Sequence, residues 1–208
     1  MANFTVVIPT LWRSKRIHPL LNSLVSSPNV DEIIIVDNSG EYDKYYKEMN
    51  KVRVLRPNFN IYVNPAWNYG VQYSKNKQIA LVNDDISFDT RIFDEFTEDE
   101  LKSKGFIGMS SENYKEGVAY NPTLEPWKGE VVLNGWGCII MFHKDHWKPI
   151  PEQLKIWYGD NYIREINPAP SHILKGLPIQ TEMSTTSNDS QWNPIKEREA
   201  QYWIDNFK

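Results

Sequence analysis

The chain has almost no cysteine, no long hydrophobic run and no excess of positive charge, and each absence removes a class of protein. A single cysteine, Cys138, among 208 residues excludes an intrachain disulfide framework. It lies in the apolar run Cys138-Ile-Ile-Met-Phe142 and reads as a small core residue rather than a nucleophile. No stretch reaches the roughly 18 apolar residues of a membrane span. The first nine residues, Met1 to Pro9, lack the charged start and long apolar core of a signal peptide. The expectation is a cytoplasmic chain without a transmembrane segment. A formal net charge of −4 gives no global basic footprint for nucleic acid, although Lys144, Lys148, Lys155 and Arg164 could form a local basic rim.

What is present is enough apolar material for a core. Hydrophobic residues make up 40% of the chain, which is normal for a globular protein and too much for a disordered one. The 8 Trp and 11 Tyr pair apolar rings with polar tips, a composition suited both to cores and to stacking on sugars or bases.

The front half alternates between strand and helix signals. Phe4-Thr-Val-Val-Ile8 is a β-branched run that Pro9 is expected to stop. Ile17, Leu20, Leu21, Leu24 and Val25 form a helical stripe between Arg16 and Ser26. Asp31 to Val36 and Val52 to Leu55 read as strands, with a short helix over Glu41 to Asn50 between them. A helix opens near Pro65 and runs to Tyr73, before the strand Gln78 to Val82. This order predicts an α/β fold with a mixed, mainly parallel central sheet. Beyond Arg91 the pattern loosens: a partly helical, acidic stretch to Lys104 is followed by strands at Gly105 to Met109, Glu130 to Leu133 and Cys138 to Phe142. Asn193-Pro194 opens a final helix to Asn206.

In parallel α/β sheets, ligands bind beyond the carboxyl ends of the strands. Pro9-Thr10, Asp37-Asn38 and Asn83-Asp84-Asp85 all fall at such ends. The last group places two adjacent carboxylates after an apolar strand, an arrangement suited to a hard divalent cation and through it to a phosphorylated ligand. Its bland alternative is a solvated turn.

These residues form an ordered pattern. Val6-Val-Ile-Pro-Thr10 with Arg13, then Glu32 to Gly40, resembles the start of the family 2 glycosyltransferases with the GT-A fold. Asn64-Pro-Ala-Trp-Asn-Tyr-Gly70 is similar to that family's Asn-x-Gly segment, and Asn83-Asp84-Asp85 stands at its Asp-x-Asp motif. Gly135-Trp136-Gly137 is similar to the acceptor-side segment, and Gly159-Asp160 to the Glu-Asp motif opening the catalytic helix. The chain departs from the pattern at Asn83 and Gly159, where the family carries acidic residues.

The resemblance implies a GT-A domain over 1–185, with a nucleotide-binding half over 1–90, an acceptor half over 91–185 and a helical tail over 186–208. It implies an enzyme that moves a sugar from a nucleotide-sugar donor, a UDP-sugar foremost, to an acceptor hydroxyl with inversion. Asp85 and His172 would hold Mn²⁺ or Mg²⁺. Pro9, Thr10, Arg13, Asp37, Asn38, Asn68 and Asp84 would contact the nucleotide. Trp136, set between glycines, would be exposed and stack on a ring. Asp160 would act as base. The acceptor stays open among a glycan, a lipid-linked sugar, a protein and a modified DNA base. Two other functions stay open as well: a non-catalytic nucleotide- or sugar-binding protein, favoured by Asn83 and Gly159, and a nucleotidyltransferase. Pro9-Thr-Leu-Trp-Arg13 lacks the glycine-rich loop that a nucleotidyltransferase would need.

Overall fold

The computed structural model describes residues 3–41, 48–129, 135–182 and 189–208. The expected helix over Glu41 to Asn50 and the strand over Glu130 to Leu133 fall largely or wholly outside these residues.

Ten strands are present among the described residues: β1 (Phe4–Thr10), β2 (Val30–Asp37), β3 (Val52–Leu55), β4 (Gln78–Val82), β5 (Ile86–Phe88), β6 (Phe106–Met109), β7 (Thr123–Pro126), β8 (Ile139–His143), β9 (Ser171–Lys175) and β10 (Ile179–Thr181). The main sheet has the order β3-β2-β1-β4-β8-β6-β9-β7, and β10-β5 form a separate small ribbon. Pairings β3–β2, β2–β1, β1–β4 and β6–β9 are parallel; β4–β8, β8–β6 and β9–β7 are antiparallel. This is the mixed, mainly parallel sheet that the sequence predicts.

Four helices matter to the site: α1 (Ile17–Ser26), α2 (Val63–Tyr73), α3 (Glu98–Lys104) and α4 (Asn193–Phe207). Because β1, β2, β4 and β8 are buried along nearly every residue, alternate side chains enter cores on opposite faces. Val6, Ile8, Ile33, Ile35, Ala80 and Met141 pack with Leu20, Leu21 and Leu24 of α1 and Leu101 of α3. Val7, Ile34, Ile79, Leu81 and Ile140 pack with Ala66, Trp67 and Val71 of α2 and Trp203 of α4. The result is a sheet between two helical layers.

Pro9 does not end β1. The strand continues to Thr10, with Pro9 opposite Val36 and Thr10 opposite Asp37, while pairing to β4 stops at Val7–Leu81. With a neighbour on one flank only, this stretch tolerates a residue lacking an N–H. Helix α2 is seated on β1 through Gly70, where an added Cβ would fall 2.2 Å from Val7 Cγ1. This close approach carries the amino end of α2 to the carboxyl edge of the sheet.

Candidate active site

A cleft of about 1000 Å³ opens along that edge. It is lined by Pro9, Thr10, Asn38, Asn83, Asp84, Asp85 and Asp160, with a wall of aromatic rings that includes Tyr62, Trp127, Trp157 and Trp192. Six of the eleven expected site residues therefore meet in one place, together with Asn83.

Asp84 lies at the floor. Thr10 Oγ1 donates to Asp84 Oδ2 at 2.5 Å, and the Trp12 N–H donates to the same Thr10 oxygen at 2.8 Å. Thr10 thus relays the turn after β1 to the acidic pair after β4. Burial pushes the Asp84 carboxyl up to about 6, against the Thr10 hydrogen bond that favours its charged form. Burial also raises Asp85 above the ordinary carboxylate range, with the Glu182 carboxylate adding to the shift and Arg16 opposing it.

Asp85 Oδ1 is buried with no hydrogen-bond partner. An orphaned carboxylate oxygen on a cleft, beside a second carboxylate, suits a hard divalent cation. Among the described residues no group of three or more His, Cys, Asp or Glu side chains could hold an ion unaided.

Asp160 lines the same cleft from a helical turn, Gly159–Asn161, which continues as a wider turn over Tyr162–Ile166. Its Oδ1 accepts the Asn161 N–H at 3.0 Å. Burial raises its pKa, and the Arg164 guanidinium pulls the other way. Gly137 lets this carboxylate approach: a Cβ there would lie 2.9 Å from Asp160 Cβ and 3.1 Å from Oδ2. Gly159 has a steric cause as well, since its Cβ would fall 2.1 Å from Asn64 Oδ1. The space that a side chain at 159 would need is filled by Asn64, which is 1% exposed. Asn64 was not singled out as a site residue in its own right; its place in the Asn-x-Gly segment was the available signal.

Several expected residues lie elsewhere. His172 is the clearest correction. In register it pairs with Ile107, which pairs with Met141, which pairs with Ala80. It is therefore level with the middle of β4 and three strands away, roughly 14 Å sideways at ~4.8 Å per strand, so it cannot join Asp85 on one ion. Trp136 is not exposed but fully buried, its Nε1 donating to the His172 carbonyl at 3.1 Å. Its ring fills the room above Gly108, where a Cβ would fall 2.2 Å from the indole. Gly135 makes this possible by turning the chain inward at φ 83°.

Asn68 spends both polar atoms on Ile150, donating to its carbonyl at 2.8 Å and accepting its N–H at 2.9 Å, and does not line the cleft. Arg13 is exposed and points to Asp189 at 4.0 Å. Asp37 sits behind the wall: its Oδ1 accepts from the Trp12 indole, the Ser39 N–H and the Ser39 hydroxyl at 3.0, 2.9 and 2.6 Å. It shapes the edge without lining it. Asn38 does line the cleft, and its amide ties β2 to the Ile61–Tyr62 backbone.

The sequence model of glycosyl transferase family 2 matches residues 5–146, more than half of the chain. The chain belongs to that family. Its fold is GT-A. Among solved structures, S. aureus TarS 1–349 is 16% identical with a TM-score of 0.59, over 84% of this chain and 57% of that one. GalNAc-T7 with UDP, GalNAc and Mn²⁺ is 9% identical with a TM-score of 0.64, over 87% and 44%. TarS 1–349 in complex with UDP-GlcNAc is 15% identical with a TM-score of 0.56, over 83% and 56%. The chain thus spans little more than half the length of these relatives at most. No curated protein sequence matches it significantly. No helix among the described residues is long and apolar enough to cross a membrane.

Proposed function

We propose that the chain acts as a glycosyltransferase, transferring a sugar from a UDP-sugar to an acceptor hydroxyl by a single inverting displacement, with Asp160 as the base and Asp85 as the holder of a divalent cation. The observation that carries the reading is the meeting of Asp84, Asp85 with its orphaned oxygen, and Asp160 on one cleft. The Mn²⁺ and UDP in the GalNAc-T7 structure and the UDP-GlcNAc in that of TarS, folds like this one, support the choice of cation and nucleotide.

A cation held by Asp85 would neutralise charge on the donor's diphosphate as a Lewis acid. Asp160 accepts the acceptor's hydroxyl proton while the acceptor oxygen bonds to the anomeric carbon. The bond from that carbon to the phosphate oxygen breaks, and the nucleoside diphosphate leaves with the electron pair. Burial of Asp160 suits this work, because a carboxylate raised above its ordinary range is a better proton acceptor. The tryptophans on the cleft wall offer apolar ring faces against which an acceptor ring can stack.

The direct test is nucleoside diphosphate release from a panel of sugar nucleotides with Mn²⁺ or Mg²⁺ and candidate acceptors. Metal-stimulated release from a UDP-sugar is expected. Saturable binding without release or transfer from any donor would sink the proposal, and undiminished transfer by Asp160→Asn would remove Asp160 from the role of base.

A further inference from the structure

Helix α4 lies outside the region matched by the family, yet one of its side chains reaches the backbone that leads into Asp160. Ile195, Glu199 and Trp203, spaced four apart, share the face of α4 that turns inward, and they are 9%, 1% and 3% exposed. Two of the three are apolar and join the core. A carboxylate on such a stripe is costly unless it finds donors.

Glu199 finds three. Its oxygens accept from the backbone N–H groups of Lys155 at 2.9 Å, Ile156 at 3.1 and 3.2 Å, and Trp157 at 2.7 Å. These residues lie in neither helix nor strand, so no ladder would otherwise satisfy them. The carbonyls of the same stretch are held from the opposite side by Asn64. Its Nδ2 donates to Leu154 O and Trp157 O at 3.2 and 3.1 Å, and its backbone N–H to Lys155 O at 3.0 Å. Trp203 stacks on Tyr158 with centroids 5.4 Å apart and planes at 16°. Tyr158 is held at φ 60°, a conformation unusual for a tyrosine, immediately before Gly159-Asp160. Both polar edges of 154–158 are therefore fixed, one of them by a buried charge on another helix.

We propose that Glu199 is a positioning residue for Asp160: its carboxylate, docked on three successive backbone N–H groups, sets the direction in which the 155–158 segment delivers the base to the cleft. This rests on the reading of Asp160 as base. Glu199→Gln keeps the volume but turns an NH₂ group toward at least one of the three N–H donors, so the segment must shift.

Asp160 is faced by Arg164 and Glu165 from its own turn and by Cys138 from the short turn Trp136–Cys138 that leads into β8. Releasing it from this buried position should return its titration toward the ordinary carboxylate range. In Glu199→Gln, kcat is expected to fall roughly 10- to 100-fold, the effect of misplacing a reacting group by about 1 Å. UDP affinity should stay within about twofold, because Asp84 and Asp85 are untouched, and the acid limb of the kcat–pH profile should move to lower pH. Glu199→Asp should show the same pattern, more weakly. If kcat falls with the acid limb unmoved, in proportion to a loss of folded protein, α4 is only a structural prop and the inference fails. Should neither variant fold, hydrogen exchange on the unmodified protein decides. The amides of Lys155, Ile156 and Trp157 should exchange as slowly as core strand amides, and exchange at the rate of an open loop overturns the latch. Loss of activity in Asp160→Asn, with Glu199→Gln unchanged in rate and pH profile, would spare the base reading and reject this one.

Discussion

Asp84 holds a buried negative charge that the fold alone does not need, so neutralising it should make the protein more stable while damaging its chemistry. Burial raises the Asp84 carboxyl from an ordinary 3.8 to about 6. At ~1.36 kcal/mol per pKa unit, keeping it ionised at neutral pH costs the folded state about 3 kcal/mol. Because the folded-state pKa is the higher one, the associated stability is fully present below the unfolded value. It is lost as pH rises through the folded one, between about pH 4 and 6. Asp84→Asn removes the charge but keeps the shape, and loses ~1 kcal/mol because the Thr10 hydroxyl then donates to a neutral oxygen. The net gain at pH 7.5 should be about 1 to 3 kcal/mol, a Tm rise of roughly 3 to 10 °C for a chain of this size. Thermal unfolding of both proteins from pH 3.5 to 8, without added metal or nucleotide, reads it out: the gain should shrink as pH falls and vanish near pH 4. A variant less stable at every pH, or a gain independent of pH, would show that the charge is not desolvated as argued.

Three further outcomes follow from single contacts. Gly137→Ala pushes a methyl against Asp160, and should cut kcat roughly 10- to 100-fold with UDP affinity nearly unchanged, checked by steady-state kinetics and calorimetric titration. Gly108→Ala drives a methyl into the Trp136 indole and should destabilise by about 1 to 3 kcal/mol in urea unfolding. His172→Ala, three strands from Asp85, should leave the Mn²⁺ concentration for half-maximal activity within about twofold of the parent; a larger rise would place it back at the ion.

The strands were legible because burial on both faces demands continuous β-branched runs, and the helices because one face demands a 3.6-residue stripe. The acidic groups at strand ends were legible for the same reason: chain order and strand polarity put Thr10 and Asp84 on one edge whatever their side chains do. Trp136 and His172 were misplaced because their surroundings come from strands distant in sequence. The glycines around Trp136 signal an exposed loop only until Gly108, across the sheet, is seen to leave a hole for the ring. Glu199 sits in Lys196-Glu-Arg-Glu199, a run that reads as a solvated face. Only its spacing from Ile195 and Trp203 hinted that it points inward, and no local rule says which backbone it will meet.

The placement of β8 has a consequence for how the chain is made. β4, buried throughout, gains its second neighbour only when residues 139–143 arrive, nearly sixty positions later. Until then a growing or truncated chain of about 90 residues carries four parallel strands ending in an open edge, β4, that is apolar from Ile79 to Val82, a template for pairing with other chains. Residues 1–90, expressed alone, should therefore self-associate rather than fold. Residues 139–143 supplied as a separate strand should compete for that edge.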